Sequence, residues 1–260
     1  MSSKPTTVDE FTPETLLMLG EGKVDIIWHR EFYPVENCRN ALPRIIDACE
    51  AAAYTLTSDL QSLGTSIGEA TESEDNTARY FDTAAQTTKL IRESIFGGFT
   101  APGDAVRLLA DEWWPSGAMV GRRGDRQMLP SIIRRWPKGG QANPHIDQKS
   151  IPLLDLYDLV RRIGVNVYLE TPRPGAGGEI EFWNRFGDEN AYLFIKRDDY
   201  GVNRDGLGDP LYEILPGQGD LVMFDAARLH GVRKVTEGSR VTAACFLGVR
   251  SRMEPLVVFA

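Results

Sequence analysis

Two of the three histidines in this 260-residue chain lie in short motifs that could bind a metal ion. His145 stands two residues before Asp147, and His230 follows much later in the chain. On an extended segment, side chains at positions i and i+2 point the same way, so His145 and Asp147 can reach one ion. Two imidazoles and one carboxylate leave three octahedral positions open, which suits iron(II) that must bind a co-substrate and O₂ together. We therefore predict His145, Asp147 and His230 as the catalytic, metal-binding residues.

A possible anion site follows ten residues after His230, where Arg240 begins a strongly apolar stretch predicted to be a strand, residues 240–249. Strand alternation places Arg240 and Thr242 on one face. A buried guanidinium is costly unless an anion pairs with it, and a dicarboxylate co-substrate would accept it in bidentate contact. Thr242 would donate a hydroxyl beside it. The alternative is an edge arginine that pairs with an acidic side chain.

Each of these features is weak evidence when it is taken alone. A His-x-Asp triplet arises often by chance, and a single histidine is more often structural than a ligand. His29, the third histidine, is expected to be structural or on the surface. The prediction depends on the combination, and a non-catalytic jelly-roll binding protein with incidental histidines stays open as the non-enzyme alternative.

The combined spacing of His145, Asp147, His230 and Arg240, with Thr242 two residues further, resembles the 2-oxoglutarate/iron(II)-dependent oxygenase superfamily. The resemblance covers residues 131–250. Residues 219–248 also resemble the carrier-independent branch of small-molecule hydroxylases and halogenases that act on amino acids. The resemblance implies a double-stranded β-helix, or jelly roll, with flanking helices. It implies hydroxylation of an aliphatic C–H bond in an amino acid or derivative, with 2-oxoglutarate converted to succinate and CO₂.

The resemblance also implies individual roles for the residues that match its motifs. The three metal-binding residues would hold Fe(II), and Arg240 with Thr242 would bind the distal carboxylate of 2-oxoglutarate. Asn166 and Tyr168 are further candidates for contacts to this co-substrate. Halogenases of this type carry Gly or Ala where Asp147 stands, so hydroxylation is the predicted outcome. Desaturation, cyclisation, halogenation and hydroxylation of a peptide residue remain alternatives for the same centre.

Candidate substrate contacts lie on a short apolar segment, residues 131–136. By alternation one of Arg134 and Arg135 should face inward, where it would suit a substrate that carries a carboxylate. A solvated or ion-paired arginine is the alternative. Trp136 could line the mouth of the substrate site, although aromatic side chains in such positions are more often part of the core.

The elements that must position these residues change character along the chain. Apolar periodicity predicts helices over residues 41–63, 77–96 and 105–113, with a polar loop at 64–75 between the first two. Alternation and Gly/Pro turns then predict short strands, at residues 131–136, 164–170, 179–183, 211–215, 220–224, 231–235 and 240–249. On the strand at 164–170, Val165 and Val167 share one face, while Asn166 and Tyr168 share the other. A sandwich, jelly roll or barrel would accommodate these strands.

This order of elements predicts a single α+β domain, residues 1–260. Residues 1–128 would supply mainly helical support with N-terminal helices that buttress the sheet. Residues 129–260 would form the jelly-roll catalytic core. An inserted loop, residues 184–210, is long and Gly-rich, so we expect it to act as a lid over the site.

Composition excludes several classes of protein. The net charge of −8 and the lack of a basic run argue against a nucleic-acid partner. No window approaches 18 apolar residues, and the N-terminus lacks the features of a signal peptide. Three cysteines without CxxC spacing indicate a reducing compartment. We therefore expect a cytoplasmic enzyme with a small-molecule substrate; the sequence leaves its oligomeric state open.

Overall fold

The computed structural model describes residues 6–51, 60–147, 151–185 and 201–260. Five α-helices lie within these ranges: α1 (Pro13–Gly20), α2 (Val35–Ala51), α3 (Ile67–Ala70), α4 (Glu74–Lys89) and α5 (Pro102–Trp113). The same ranges hold fifteen strands: β1 (Thr7–Val8), β2 (Ile26–His29), β3 (Gln61–Leu63), β4 (Ala118–Val120), β5 (Arg122–Arg123), β6 (Arg126–Gln127), β7 (Ile132–Trp136), β8 (Ala142–His145), β9 (Arg161–Glu170), β10 (Ile180–Arg185), β11 (Tyr212–Ile214), β12 (Leu221–Asp225), β13 (Arg228–Val232), β14 (Arg240–Val249) and β15 (Leu256–Phe259).

Nine of the described strands form one large sheet that is mostly antiparallel. Its centre is the pair of ten-residue strands β9 and β14. β14 pairs with β7 over its first half and with β15 over its second half, while β12, β2 and β1 continue the sheet beyond β9. The pairs β1–β2 and β15–β4 are parallel. The large sheet therefore brings the predicted co-substrate strand, β14, between two strands that carry other predicted site residues.

A smaller antiparallel sheet, in the order β11-β10-β13-β8, faces the large one. Apolar side chains from both sheets meet in one buried cluster, which includes Tyr168 and Phe224 from the large sheet and Phe182 from the small one. The rings of Phe182 and Phe224 lie 5.5 Å apart in an edge-to-face arrangement. This mixed α/β architecture with mostly antiparallel sheets agrees with the predicted fold class.

The opposite face of the large sheet packs on apolar side chains of the helices. Val165 and Val167 of β9 share one core cluster with Leu16 of α1 and Ile45 of α2. Tyr168 of the same strand belongs to the cluster between the sheets. The alternation predicted for this strand is therefore confirmed, because period-two patterning assigns its two faces to two different cores.

Several predicted boundaries differ from the structure. The helix predicted over residues 41–63 is α2, which begins at Val35 and ends at Ala51 where the described range stops, and Gln61–Leu63 is a strand that pairs with β7. The strand predicted at 231–235 is β13, which begins three residues earlier, at Arg228. Tertiary pairing accounts for the strand at Gln61–Leu63 and for the earlier start of β13 at Arg228, because strand limits depend on the partner strand as well as on local residue preference.

The loop predicted at residues 64–75 contains the short helix α3, which begins with a capping box. The Ser66 hydroxyl donates to Glu69 Oε2 at 2.6 Å, and the backbone N–H of Ser66 donates to the same oxygen at 2.8 Å. Both residues are buried. The Ser-x-x-Glu signature of this cap is present in the sequence, so the helix start was detectable from local residues.

The predicted lid, residues 184–210, falls largely on residues 186–200, which lie outside the described residues. The chain is described again from Gly201, where Val202 donates its backbone N–H to Pro144 O at 2.7 Å. This contact joins the end of the inserted segment to β8.

None of the helices within the described ranges has the length and apolar character needed to cross a membrane.

Candidate functional site

The two motif histidines lie on neighbouring strands of the small sheet. His145 ends β8 and is paired in register with His230 of β13, and the two rings lie 4.3 Å apart. Asp147 follows β8 and directs its carboxylate at both rings, with Oδ1 3.8 Å from His145 Nε2 and Oδ2 3.3 Å from His230 Nε2. The potential ligand atoms all lie within 4.8 Å of one another. The structure therefore brings together the three residues that the motifs predicted.

Backbone carbonyls orient both imidazole rings. His145 Nδ1 lies 2.7 Å from Asn143 O, and His230 Nδ1 lies 2.9 Å from Arg228 O. A carbonyl can only accept, so each Nδ1 must carry the proton. Each Nε2 then carries the lone pair, and it is this atom that faces Asp147. Metal-binding histidines commonly have their second ring nitrogen held in this way.

The protonation states of the site also suit a divalent cation. Burial, together with repulsion from His230, lowers the pKa of His145 to about 3. Burial by itself would raise the pKa of Asp147, but the close contact with His230 and the influence of His145 and Arg134 hold that pKa well below its usual range. His145 is thus neutral and Asp147 ionised at neutral pH, which are the forms that bind metals.

The donor set fits iron(II). In the part of the chain that the structure describes, these three residues are the group whose His, Cys, Asp or Glu ligand atoms converge on one point. Two imidazole nitrogens and one carboxylate form the ligand set typical of non-haem iron(II) oxygenases. Phe224 packs 4.5 Å from the His230 ring and covers one side of the site with apolar surface.

A buried arginine with an unused donor faces the space between the sheets. Arg240 is 3% exposed, and its Nη2 donates to Tyr168 OH at 3.0 Å while its guanidinium lies over the Tyr168 ring. Arg240 Nε and the fully buried Thr242 hydroxyl have no hydrogen-bond partner among the described residues. Buried donors without acceptors are unfavourable, and a buried charge is more so. The pair is therefore suited to bind an anion.

Strand register places the other predicted co-substrate residues beside this pair. Thr242 lies opposite Tyr168 on β9 and opposite Arg134 on β7, and Ala244 lies opposite Asn166. Residues opposite one another across a pair share a face of the sheet. Asn166 and Tyr168 thus lie on the same face as Arg240, as the alternation predicted.

The three predicted substrate residues on β7 divide between the two faces. Arg134 shares the inner face with Thr242, and its positive charge lowers the pKa values of both His145 and Asp147. Arg135 points to the helical side, where Nη1 donates to Gln61 Oε1 at 2.6 Å and to Glu50 Oε1 at 3.3 Å. Trp136 is buried in an apolar cluster with Ala142 and Val232. Of the two arginines, Arg134 faces the metal centre.

Two residues that sequence reasoning missed hold the backbone of Asp147. The Asp147 N–H donates to Ala226 O at 2.9 Å, and Arg162 Nη1 donates to Asp147 O at 2.9 Å. Arg162 is 6% exposed. A charged residue in the apolar strand β9 was the available signal, because a buried arginine needs acceptors. Its acceptor lies fifteen residues away along the chain, so the sequence alone did not identify it.

Comparison with known proteins agrees with this geometry. Residues 131–248 match the family model of the 2OG-Fe(II) oxygenase superfamily, and this range contains every residue predicted for the site. The chain is 34% identical over 133 residues to L-isoleucine 3(1)-dioxygenase of Pantoea ananatis (strain AJ13355), which covers 45% of this chain and 43% of that protein. The family resemblance read from the motifs is thereby confirmed.

A second curated relative is L-gamma-glutamyl-L-propargylglycine hydroxylase of Streptantibioticus cattleyicolor, 32% identical over 104 residues, or 38% of this chain and 36% of that protein. The chain spans less than half the length of these two curated relatives. A solved structure of an N-substituted L-amino acid dioxygenase from Burkholderia ambifaria AMMD superposes with a TM-score of 0.63 at 16% identity and covers 95% of this chain and 91% of its own. At this identity the likeness concerns the fold.

Proposed function

We propose that the protein, whose residues 131–248 match the family model of the 2OG-Fe(II) oxygenase superfamily, hydroxylates an aliphatic C–H bond of an amino acid or amino-acid derivative. The observation that carries the proposal is the pairing of two features across the sheets. A buried His-Asp-His cluster lies on the small sheet, and the buried guanidinium of Arg240 has an unpaired donor on the large sheet. One feature suits iron(II), and the other suits the carboxylate of 2-oxoglutarate.

In the proposed reaction the residues of the site fall into two groups, one for the metal and one for the co-substrate. His145, Asp147 and His230 hold iron(II), and Arg240 with Thr242 holds the distal carboxylate of 2-oxoglutarate. Bound iron supplies the O₂ activation by which one oxygen atom becomes the new hydroxyl group and the other enters succinate as 2-oxoglutarate loses CO₂. Phe182 and Phe224 present an apolar wall that limits water near the reacting groups. We also propose that the N-terminal helices buttress the large sheet and so keep β9 and β14 in place.

The substrate class is proposed from the relatives and from Arg134. One curated relative is named for a free amino acid and another for an amino acid that carries a γ-glutamyl group. Arg134 lies on the inner face of β7, and its Nε has no hydrogen-bond partner among the described residues. A guanidinium in that place suits the carboxylate that free and N-acylated amino acids share. We propose that Arg134 anchors this carboxylate.

A succinate-release screen tests the proposed function. Purified protein with iron(II), 2-oxoglutarate and O₂ would be offered free aliphatic L-amino acids, N-acyl and γ-glutamyl derivatives, and short peptides. We expect substrate-dependent succinate from one of the first two groups and a product heavier by one oxygen atom. A product lighter by two hydrogen atoms would replace hydroxylation with desaturation, and succinate released only with peptides would overturn the small-molecule assignment.

Replacement of Arg134 by Met should raise the KM for the amino-acid substrate. The loss of one partner from a buried, hydrogen-bonded charge pair costs about 2 kcal/mol or more, which is roughly thirtyfold in KM. Arg135→Met is the matched control, because Arg135 belongs to the same strand but contacts Gln61 and Glu50 on the opposite face. Steady-state kinetics on the substrate found in the screen measure both. Equal KM values for the two variants would contradict the role of Arg134.

A further inference from the structure

A β-bulge interrupts the pairing of the two strands that carry the histidines. His230 lies opposite His145, but Val232 lies opposite Ala142, so two residues of β8 face Gly231 alone. One of those two is Pro144, which has no backbone N–H to donate. Bulges leave part of a strand ladder unpaired and commonly occur beside functional sites. Groups from elsewhere must therefore complete the hydrogen bonding next to the metal centre.

Residues 201–204 supply these groups from the outer side of the small sheet. Arg204 Nη2 donates to Ala142 O at 2.9 Å and to Val232 O at 2.7 Å, which joins β8 to β13. Val202 N donates to Pro144 O at 2.7 Å. Carbonyls on both sides of the bulge thus accept hydrogen bonds from one short segment that lies far from them in sequence.

Neighbouring residues leave room for the Arg204 guanidinium and hold it in place. A side chain on Gly231 would put its Cβ 3.2 Å from Arg204 Nη2 and 3.0 Å from Ala142 O, so glycine leaves the room that the guanidinium needs. Glu181, opposite Gly231 on β10, is 3% exposed and forms an ion pair with Arg204 Nη1. The guanidinium also lies over the Trp183 ring. The buried Glu181 carboxylate holds the Arg204 guanidinium so that Nη2 faces β8 and β13.

We propose that Arg204 is a positioning residue for the metal ligands: it clamps β8 to β13 at the bulge and so keeps the His145 and His230 imidazoles aimed at one point. The inference rests on the proposed iron site but assigns a residue outside it. Side chains change face when a strand slips by one residue, so a bulge next to two ligands needs a fixed register. Arg204 acts through backbone carbonyls and touches neither imidazole.

The test compares Co(II) binding, as a redox-stable probe of the iron site, in the wild type, Arg204→Met and Arg233→Met. Arg233 donates to the same acid, Glu181, at 2.9 Å, but its side chain bonds to no carbonyl of β8 in the described structure. Loss of a group that orients metal ligands typically weakens metal binding by about 10–100-fold. We expect at least about a tenfold rise in the Co(II) Kd for Arg204→Met and an altered visible spectrum, with Arg233→Met unchanged in both.

Calorimetry and the Co(II) spectrum report on the ligands, while the Tm reports separately on stability. If Arg204→Met does not fold, Arg204→Lys replaces it in the test, because a single ammonium group cannot bind Glu181 and the carbonyls of Ala142 and Val232 at once. We expect its Co(II) Kd to lie between those of the wild type and Arg204→Met. Wild-type Co(II) affinity in both Arg204 variants, or equal weakening of Co(II) binding in Arg233→Met, would overturn the positioning role of Arg204 but leave the proposed iron site standing. A wild-type protein that binds no Co(II) would overturn the iron site and this inference with it.

Discussion

Replacement of His230 or His145 by Ala is expected to abolish iron(II) binding and all turnover. Each change removes one of the three protein ligands that converge on the metal site. The loss should exceed the roughly 10–100-fold effect of changes outside the ligand set. Calorimetric titration with Co(II) or anaerobic Fe(II) measures the affinity, and succinate release measures turnover.

The chain offers a matched control for this experiment in its remaining histidine. His29 lies on β2, where its Nδ1 accepts a hydrogen bond from the Phe11 backbone at 3.3 Å, and it has no place in the metal cluster. His29→Ala should bind metal as the wild type does. Near-normal iron content and succinate production in either ligand variant would show that the assignment of that histidine is wrong.

Replacement of Arg240 by Met should weaken 2-oxoglutarate binding by two to three orders of magnitude. Removal of one partner from a buried ion pair costs about 3–5 kcal/mol, and each 1.4 kcal/mol is about tenfold in affinity. Co(II)-loaded protein, titrated with 2-oxoglutarate in a calorimeter, gives this Kd without any need for the substrate. Thr242→Val should show a smaller loss, because it removes one neutral donor and keeps the charge.

The metal affinity of Arg240→Met provides an internal control. Arg240 lies on the large sheet and contacts Tyr168, whereas the three ligands are on or next to the small sheet. Co(II) binding in the absence of 2-oxoglutarate should therefore be unchanged. An unchanged 2-oxoglutarate Kd, beside intact metal binding, would move the co-substrate anchor to another residue, and Arg134 is the other inner-facing arginine on the adjoining strand β7.

Local spacing was sufficient to predict which side chains of the candidate site share a face. His145 and Asp147 are two residues apart, and the alternation of β14 puts Arg240 and Thr242 on one face whatever the partner strands are. The mostly antiparallel, mixed α/β architecture also follows from short strands with frequent turns. These features depend on residues close together in the chain, where backbone geometry alone relates one side chain to the next.

Only the tertiary structure showed what each face of a strand packs against and which distant residues complete the site. Alternation required one of Arg134 and Arg135 to face inward, but packing against α2 and β3 determined that it is Arg134. The supports of the metal ligands, Arg162 at Asp147 O and Arg204 at the bulge, act on acceptors far away in sequence. Periodicity fixes the relative orientation of neighbouring side chains. Strand pairing and sheet packing bring together groups that no local pattern relates, and so the arrangement that surrounds the site depends on the folded chain as a whole.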